Sequence, residues 1–267
     1  MPRLLHISDL HAGAHDEPHI EPGLRALIEH APVELIVATG DITHRGRAAE
    51  HEHAAAFLHS LGPPVLAVPG NHDIPLPPAR FTSPFAEFER RWETTEPVYR
   101  SDSLVVVGLN SVRPWRHQSG GLRDSQLRRA AEELARAPQG ALRAVALHHH
   151  LTGAPWRSRK RPVARRSHVL ASLVEAGAEL ILAGHVHQSA LSERREFEVA
   201  SGGETGVTVA TAPGLGQPRP RRRGEARGLH AVEFGAQEIR VETYVWRDGA
   251  FALTVERRFP RGSSELG

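Results

Sequence analysis

Short apolar runs alternate with amphipathic stretches along the first half of the chain. Residues 4–8, 34–39 and 64–68 are apolar runs of strand length, while 22–31 and 47–61 carry the wider apolar spacing of helices packed on one face. Strand, helix, strand, helix, strand in that order predicts parallel strands joined by crossover helices. Past a Pro-rich loop the alternation continues, with helices over 85–92, 125–136 and 169–176 and strands over 103–109, 143–147 and 179–183. From Gly206 the character changes. Runs 207–211, 229–234, 239–246 and 251–255 follow one another with Gly, Asp-Gly and Gln-Glu turns and no helix between them, which predicts antiparallel hairpins. No repeat or linker interrupts the chain, so the expectation is one mixed α/β domain over 1–267, with C-terminal β-hairpins spanning 206–259.

Composition narrows the class. At 267 residues the chain is close to the roughly 250 residues that a single α/β domain often reaches. With 40% hydrophobic and 24% charged residues it reads as a globular enzyme, too polar for a membrane protein and too apolar for a disordered one. Arg3, His6 and Asp9 break the first apolar run, so no signal peptide and no membrane span are expected, and the cytoplasm is the expected location. The absence of cysteine removes disulfides, thiolate nucleophiles and Cys-bound zinc, leaving His, Asp, Glu or Asn to hold any metal. The net charge is +2, and Lys160 is the sole lysine, so the positive charge is nearly all arginine. Two Arg-rich loops, 157–166 and 217–227, stand out and read as solvated segments.

The candidate chemistry lies where the expected strands end. The runs lead into Ser8-Asp9-Leu10-His11, Gly40-Asp41, Gly70-Asn71-His72-Asp73, His148-His149-His150 and Gly184-His185-Val186-His187. Strand C-termini of an open α/β sheet face one crevice. A single such cluster is more often a turn or a helix cap, but five in succession would bring ionisable groups together at a cost of several kcal/mol unless a cation holds them. Asp9, His11, Asp41, Asn71, His148, His185 and His187 are seven candidate ligands, too many for one ion with an open position, so two ions sharing a carboxylate fit better. A nitrogen and oxygen set without sulfur suits Mn, Fe, Zn, Co or Ni. Two ions about 3.5–4 Å apart are a common device for in-line displacement at phosphorus.

These motifs, in this order from residue 9 to 187, closely resemble the calcineurin-like metallophosphoesterase superfamily. The resemblance implies a four-layer αββα sandwich of two mixed β-sheets flanked by helices. It implies that Asp9, His11, Asp41 and His187 hold one metal, that Asp41 bridges to a second, and that Asn71, His148 and His185 complete the second site. His148 directly ends its apolar strand and is the preferred ligand, with His149 the alternative one residue on. His72 is the catalytic imidazole implied to contact the phosphate and assist the leaving group, and Asp73 is implied to orient the loop. Asn71, His72, Arg45 and His149 are the expected substrate contacts. The implied reaction is attack on phosphorus by a metal-bridging hydroxide whose pKa has fallen toward about 7.

One position departs from the pattern. Where the protein-phosphatase branch has an aspartate that orients the catalytic histidine, the segment Gly40-Asp41-Ile42-Thr43-His44-Arg45-Gly46 has His44, which cannot act as a carboxylate. The retained Arg45 is placed to bind a phosphate oxygen. His51-Glu52-His53 is not a metalloprotease motif, because its second histidine would fall at Ala55, and both histidines read as exposed helix residues.

The compact spacing resembles the branch containing bacterial cyclic-nucleotide and glycerophosphodiester phosphodiesterases, which favours a small phosphodiester substrate. Loop 157–166, lying between two metal motifs, would then overhang the cleft and attract an anion. Alternatives are a phosphomonoesterase, a nucleotide-lipid pyrophosphohydrolase, a DNA-repair-type nuclease and a non-catalytic scaffold. The nuclease is disfavoured by the missing capping domain and by the 5% aromatic content, low for base stacking. The lipid enzyme would want an apolar cap helix, whereas 151–163 is basic and Pro-interrupted. A scaffold would be expected to have lost ligands. Pairing of subunits through the C-terminal hairpins is left open.

Overall fold

The structure, a computed structural model, describes residues 1–14, 20–116, 118–156, 158–193, 206–216 and 225–261. It begins with β1 (Arg3–Ile7), α1 (Glu21–His30), β2 (Leu35–Ala38), α2 (Ala48–Ser60) and β3 (Val65–Ala67), the expected strand and helix alternation. Helices α3 (Ala79–Thr82) and α4 (Ala86–Trp92) lead to β4 (Val98–Arg100), β5 (Leu104–Leu109), α5 (Asp124–Ala135), β6 (Leu142–Leu147), α6 (Arg166–Glu175) and β7 (Leu180–Ala183). Strands β8 (Ala190–Glu193), β9 (Thr208–Thr211), β10 (Gly228–Phe234), β11 (Glu238–Arg247) and β12 (Ala250–Pro260) complete the chain.

The strands form two six-stranded mixed sheets, ordered β12-β11-β10-β1-β2-β3 and β4-β5-β6-β7-β9-β8. Side-chain alternation assigns the layers. Leu4, Val106 and Leu182 point into a core shared by the two sheets. Their neighbours Leu5 and Ile7 pack under α1, α2 and α4, and Val105, Val107 and Ile181 pack under α5 and α6. Strands covered on both faces read as continuous apolar runs, which is why the sequence marks them so clearly. The result is the expected αββα sandwich.

Three expectations need correction. Run 207–211 is not part of an antiparallel hairpin series: β9 lies parallel to β7 inside the second sheet. All four of its residues are buried, as a strand covered on both faces requires. Strand β12 extends well beyond 251–255, because Glu256, Arg257 and Arg258 continue an exposed edge strand whose charge hides it from an apolar-run reading. His51 is buried rather than exposed, its Nε2 donating to the Asp73 carbonyl at 3.1 Å. Elements β4, β8 and α3 are three or four residues long and too short to show a period. Most of loop 217–227 and residues 262–267 lie outside the described residues. Among the described residues no helix is long and apolar enough to cross a membrane.

The parallel strands β1, β2, β3, β6 and β7 end along one edge of the sandwich. A segment after β9 stitches the two sheets there, Leu215 N donating to Ser8 O at 2.8 Å and Gly216 N to Asp9 O at 2.9 Å.

Candidate metal centre

At this seam the chain turns sharply after each strand. Asp9, His11, Asp41, His185 and His187 all have positive φ, between 50° and 74°. Non-glycine residues adopt that region at a cost of order 1 kcal/mol or more, and persist there where the surroundings over-determine them. Backbones also approach unusually closely. A Cβ on Gly70 would sit 2.1 Å from Asp41 N, and one on Gly184 would sit 1.7 Å from Ser8 Oγ. Only glycine lets these two loops lie against the carboxylates.

Side chains and carbonyls then fix each ligand candidate. Asp9 Oδ2 accepts from Ser8 Oγ at 2.7 Å and His185 N at 2.9 Å, leaving Oδ1 facing His187 Nε2 at 3.1 Å and His11 Nε2 at 3.9 Å. Asp41 Oδ1 accepts the His72 backbone N–H at 2.8 Å and faces His148 Nε2 at 3.4 Å. Its Oδ2 faces His11 Nε2 at 3.9 Å. The two oxygens of Asp41 thus look toward two different sets of imidazoles. His148 Nδ1 donates to Thr39 O at 2.8 Å, which turns Nε2 to within 3.3 Å of Asn71 Oδ1 and 3.0 Å of His185 Nδ1. His185 Nε2 donates to Gln118 O at 3.1 Å. Carbonyls accept only, so both tautomers are set with their lone pairs inward.

The residues fit a pair of cations. Asp9 Oδ1 and Asp41 Oδ2 are buried with no hydrogen-bond partner among the described residues, and a buried carboxylate oxygen left unpaired is costly unless a positive group faces it. Ligand atoms of Asp9, His11 and His187, of Asp9, Asp41 and His148, and of His148, His149 and His185 each lie within 4.8 Å of one another. Protons follow the same field. Burial would raise the Asp9 and Asp41 carboxyls, but the imidazoles of His187, His148 and His72 hold both well below the usual range. Burial would lower His148, yet Asp41 beside it lifts it to about 9. Burial keeps His11, His149 and His185 neutral, as metal ligation requires.

His148 is the member of the histidine triplet that meets Asp41 and Asn71. His149 sits one residue on, its Nδ1 2.8 Å from Ser111 Oγ and its ring 4.6 Å from that of His185. His72 Nδ1 donates to the backbone carbonyl of His44 at 2.8 Å, so a main-chain oxygen occupies the orienting role that the missing carboxylate left open. Asp73 holds the loop as expected, accepting from Thr43 N, Thr43 Oγ1 and Gly70 N at 2.8, 2.9 and 2.7 Å. The Arg45 side chain is exposed, and its backbone N–H donates to Glu50 Oε2 at 2.7 Å. Thr39 and Gln118 support the ligands through main-chain carbonyls and Ser8 and Ser111 through hydroxyls, and only Thr39 and Ser8 lie next to a motif. Val163 N donates to His150 O at 3.1 Å, tying the basic loop to the histidine triplet, and Lys160 in that loop contributes after burial to the lowered basicity of His185.

Two carboxylates and four imidazoles at the strand ends of an αββα sandwich define a metallophosphoesterase type of centre. The calcineurin-like phosphoesterase model matches residues 2–189, and the chain belongs to that family. It is 27% identical over 181 residues to the 3',5'-cyclic adenosine monophosphate phosphodiesterase CpdA of Haemophilus influenzae, covering 64% of this chain and 61% of that protein. To the CpdA of Vibrio vulnificus it is 28% identical over 207 residues, covering 70% of each. A dimetal phosphatase from Danio rerio shares the fold, with a TM-score of 0.66, 14% identity and coverage of 97% of this chain and 99% of that one.

Proposed function

We propose that the protein is a metal-dependent phosphodiesterase acting on a small phosphodiester, with cyclic nucleotides the class to test first. The observation that carries this reading is one buried cluster in which Asp41 turns Oδ1 toward His148 and Oδ2 toward His11, while Asp9 Oδ1 faces His187 and His11. The names of the CpdA relatives support the diester class.

Two ions, of manganese, iron, zinc or a similar metal, would be held by Asp9, His11, Asp41 and His187 and by Asp41, Asn71, His148 and His185. When bound, they supply an activated water and a positive clamp for phosphate oxygens. The remaining work falls to the chain. His72 is locked by the His44 carbonyl with Nε2 as its available nitrogen, placing it to donate a proton to the departing oxygen. That carbonyl accepts the Nδ1–H of the neutral and the cationic ring alike, so the ring keeps its orientation through a proton transfer. Asn71 and Arg45 are the candidate donors to phosphate oxygens, and Asp41, through its bond to the His72 backbone, ties ligand position to the position of that imidazole.

The test is hydrolysis of bis-p-nitrophenyl phosphate beside p-nitrophenyl phosphate by manganese-loaded protein, with Asp41→Asn as background. Faster diester cleavage that the substitution abolishes supports the reading and leads to cyclic nucleotides. Monoester preference would replace it with a phosphatase, and absence of metal-dependent turnover would end it.

A further inference from the structure

On the same edge of the second sheet as the metal centre, a cavity of about 590 Å³ opens between the loop after β5, the first turn of α5 and residues 81–85. That volume lies within the range of small-molecule sites, roughly 300–1,000 Å³. None of its lining residues belongs to the centre described above. Aromatic residues are only 5% of the chain, yet Phe81, Phe85 and Trp115 line this one cavity. Phe81 and Trp115 leave 62% and 66% of their surface in water, an arrangement that burial of apolar surface disfavours unless something covers the rings.

The charge is one-sided. Arg113, Arg123 and Arg129 face a single carboxylate, Glu96. The floor is held by a hydrogen-bonded network: Arg113 Nη1 donates to Val112 O at 2.8 Å, its Nη2 to Gln126 Oε1 at 2.7 Å, and Gln126 Nε2 to Asn110 O at 2.9 Å. Arg129 Nη2 donates to Glu96 O at 2.8 Å, and its Nη1 lies 3.9 Å from Glu96 Oε2. A preorganised polar floor, guanidinium groups and exposed ring faces suit a planar ring that stacks and an attached anion that pairs with arginine.

We propose that this cavity binds an aromatic anion, a flat heterocycle carrying a phosphate or carboxylate, at a site separate from the metal centre. The proposal goes beyond the phosphodiesterase reading and does not rest on it.

AMP is a suitable probe, because adenosine and ribose 5-phosphate present its ring and its anion separately. Binding is measured by calorimetry on the full chain stripped of metal with chelator, so neither ligated metal nor turnover contributes. AMP is expected to bind one-to-one, with adenosine and ribose 5-phosphate each at least tenfold weaker. Trp115→Ala and Arg123→Gln, both at exposed positions, should each weaken AMP at least tenfold, with melting temperatures confirming that the variants fold. Failure of AMP to bind would overturn the proposal. So would binding that both variants retain, binding that His72→Asn abolishes while Trp115→Ala leaves it intact, or ribose 5-phosphate binding as tightly as AMP.

Discussion

The two oxygens of Asp41 face different imidazoles, Oδ1 His148 at 3.4 Å and Oδ2 His11 at 3.9 Å, the arrangement a carboxylate shared by two metals would need. Substituting asparagine keeps the shape and can keep the acceptor for the His72 backbone N–H, but removes the negative charge and puts an amide in place of one oxygen. Both metal sites should weaken together. An ion present at a hundred times its dissociation constant stabilises the folded state by about 2.7 kcal/mol, so two sites give about 5 kcal/mol. At about 2–4 °C per kcal/mol for a chain of this size, the wild type should gain about 10–20 °C in Tm on manganese loading. If each site weakens about a hundredfold, the linkage falls to about 0.4 kcal/mol per site and the gain to about 2–3 °C. Differential scanning calorimetry with chelator and with manganese reads the gain, and titration calorimetry reads the stoichiometry. His187→Asn, which removes an Nε2 lying 3.1 Å from Asp9 Oδ1 and 3.4 Å from His11 Nε2, should lose one ion where Asp41→Asn loses both. Retention of one tight ion by Asp41→Asn, or of more than half the thermal gain, would refute the bridging role.

Metal affinity should rise with pH. In the metal-free chain His148 has a folded pKa of about 9 against about 6.5 unfolded, so protonated His148 stabilises the metal-free fold fully below 6.5, an effect lost as pH climbs through 9. A metal must displace that proton, and manganese affinity should therefore increase about a hundredfold from pH 6.5 to 9; a flat titration would count against His148 as a ligand. His72→Asn should slow cleavage of diesters with alkoxide leaving groups by about 10²–10⁴-fold and that of p-nitrophenyl diesters far less, because p-nitrophenolate departs without a proton; equal losses on both would remove the general-acid role. Gly70→Ala drives a methyl group to 2.1 Å from Asp41 N and 2.3 Å from its Oδ1. Overpacking of this kind costs about 1–3 kcal/mol or more, and an unchanged Tm with unchanged manganese binding would contradict the close packing of these loops.

The reach of the sequence follows from where each signal resides. Strands such as β2 and β7, buried along their whole length, write themselves as unbroken apolar runs, and the clusters at their ends fall at turns that Gly40 and Gly184 mark. The elements the pattern missed carry no such signal: β4 and β8 are short edge strands, and β12 continues through Glu256, Arg257 and Arg258 because an exposed edge tolerates charge. Partner choice was hidden for a different reason. Strand β9 pairs antiparallel with β8 and parallel with β7 rather than with the following strand β10, and nothing within Thr208–Thr211 states that choice. At the centre, the side chains that the structure brings together were named from the sequence, and their supports were not. The orientation of His148 comes from the Thr39 carbonyl, that of His185 from the Gln118 carbonyl and that of His72 from the His44 carbonyl. A main-chain oxygen is the same atom in every residue, so substitution at Thr39 or Gln118 leaves the contact in place as long as the backbone holds. His44 shows the consequence: the position reads as a lost carboxylate by side chain, while its backbone supplies the acceptor that the neighbouring imidazole needs.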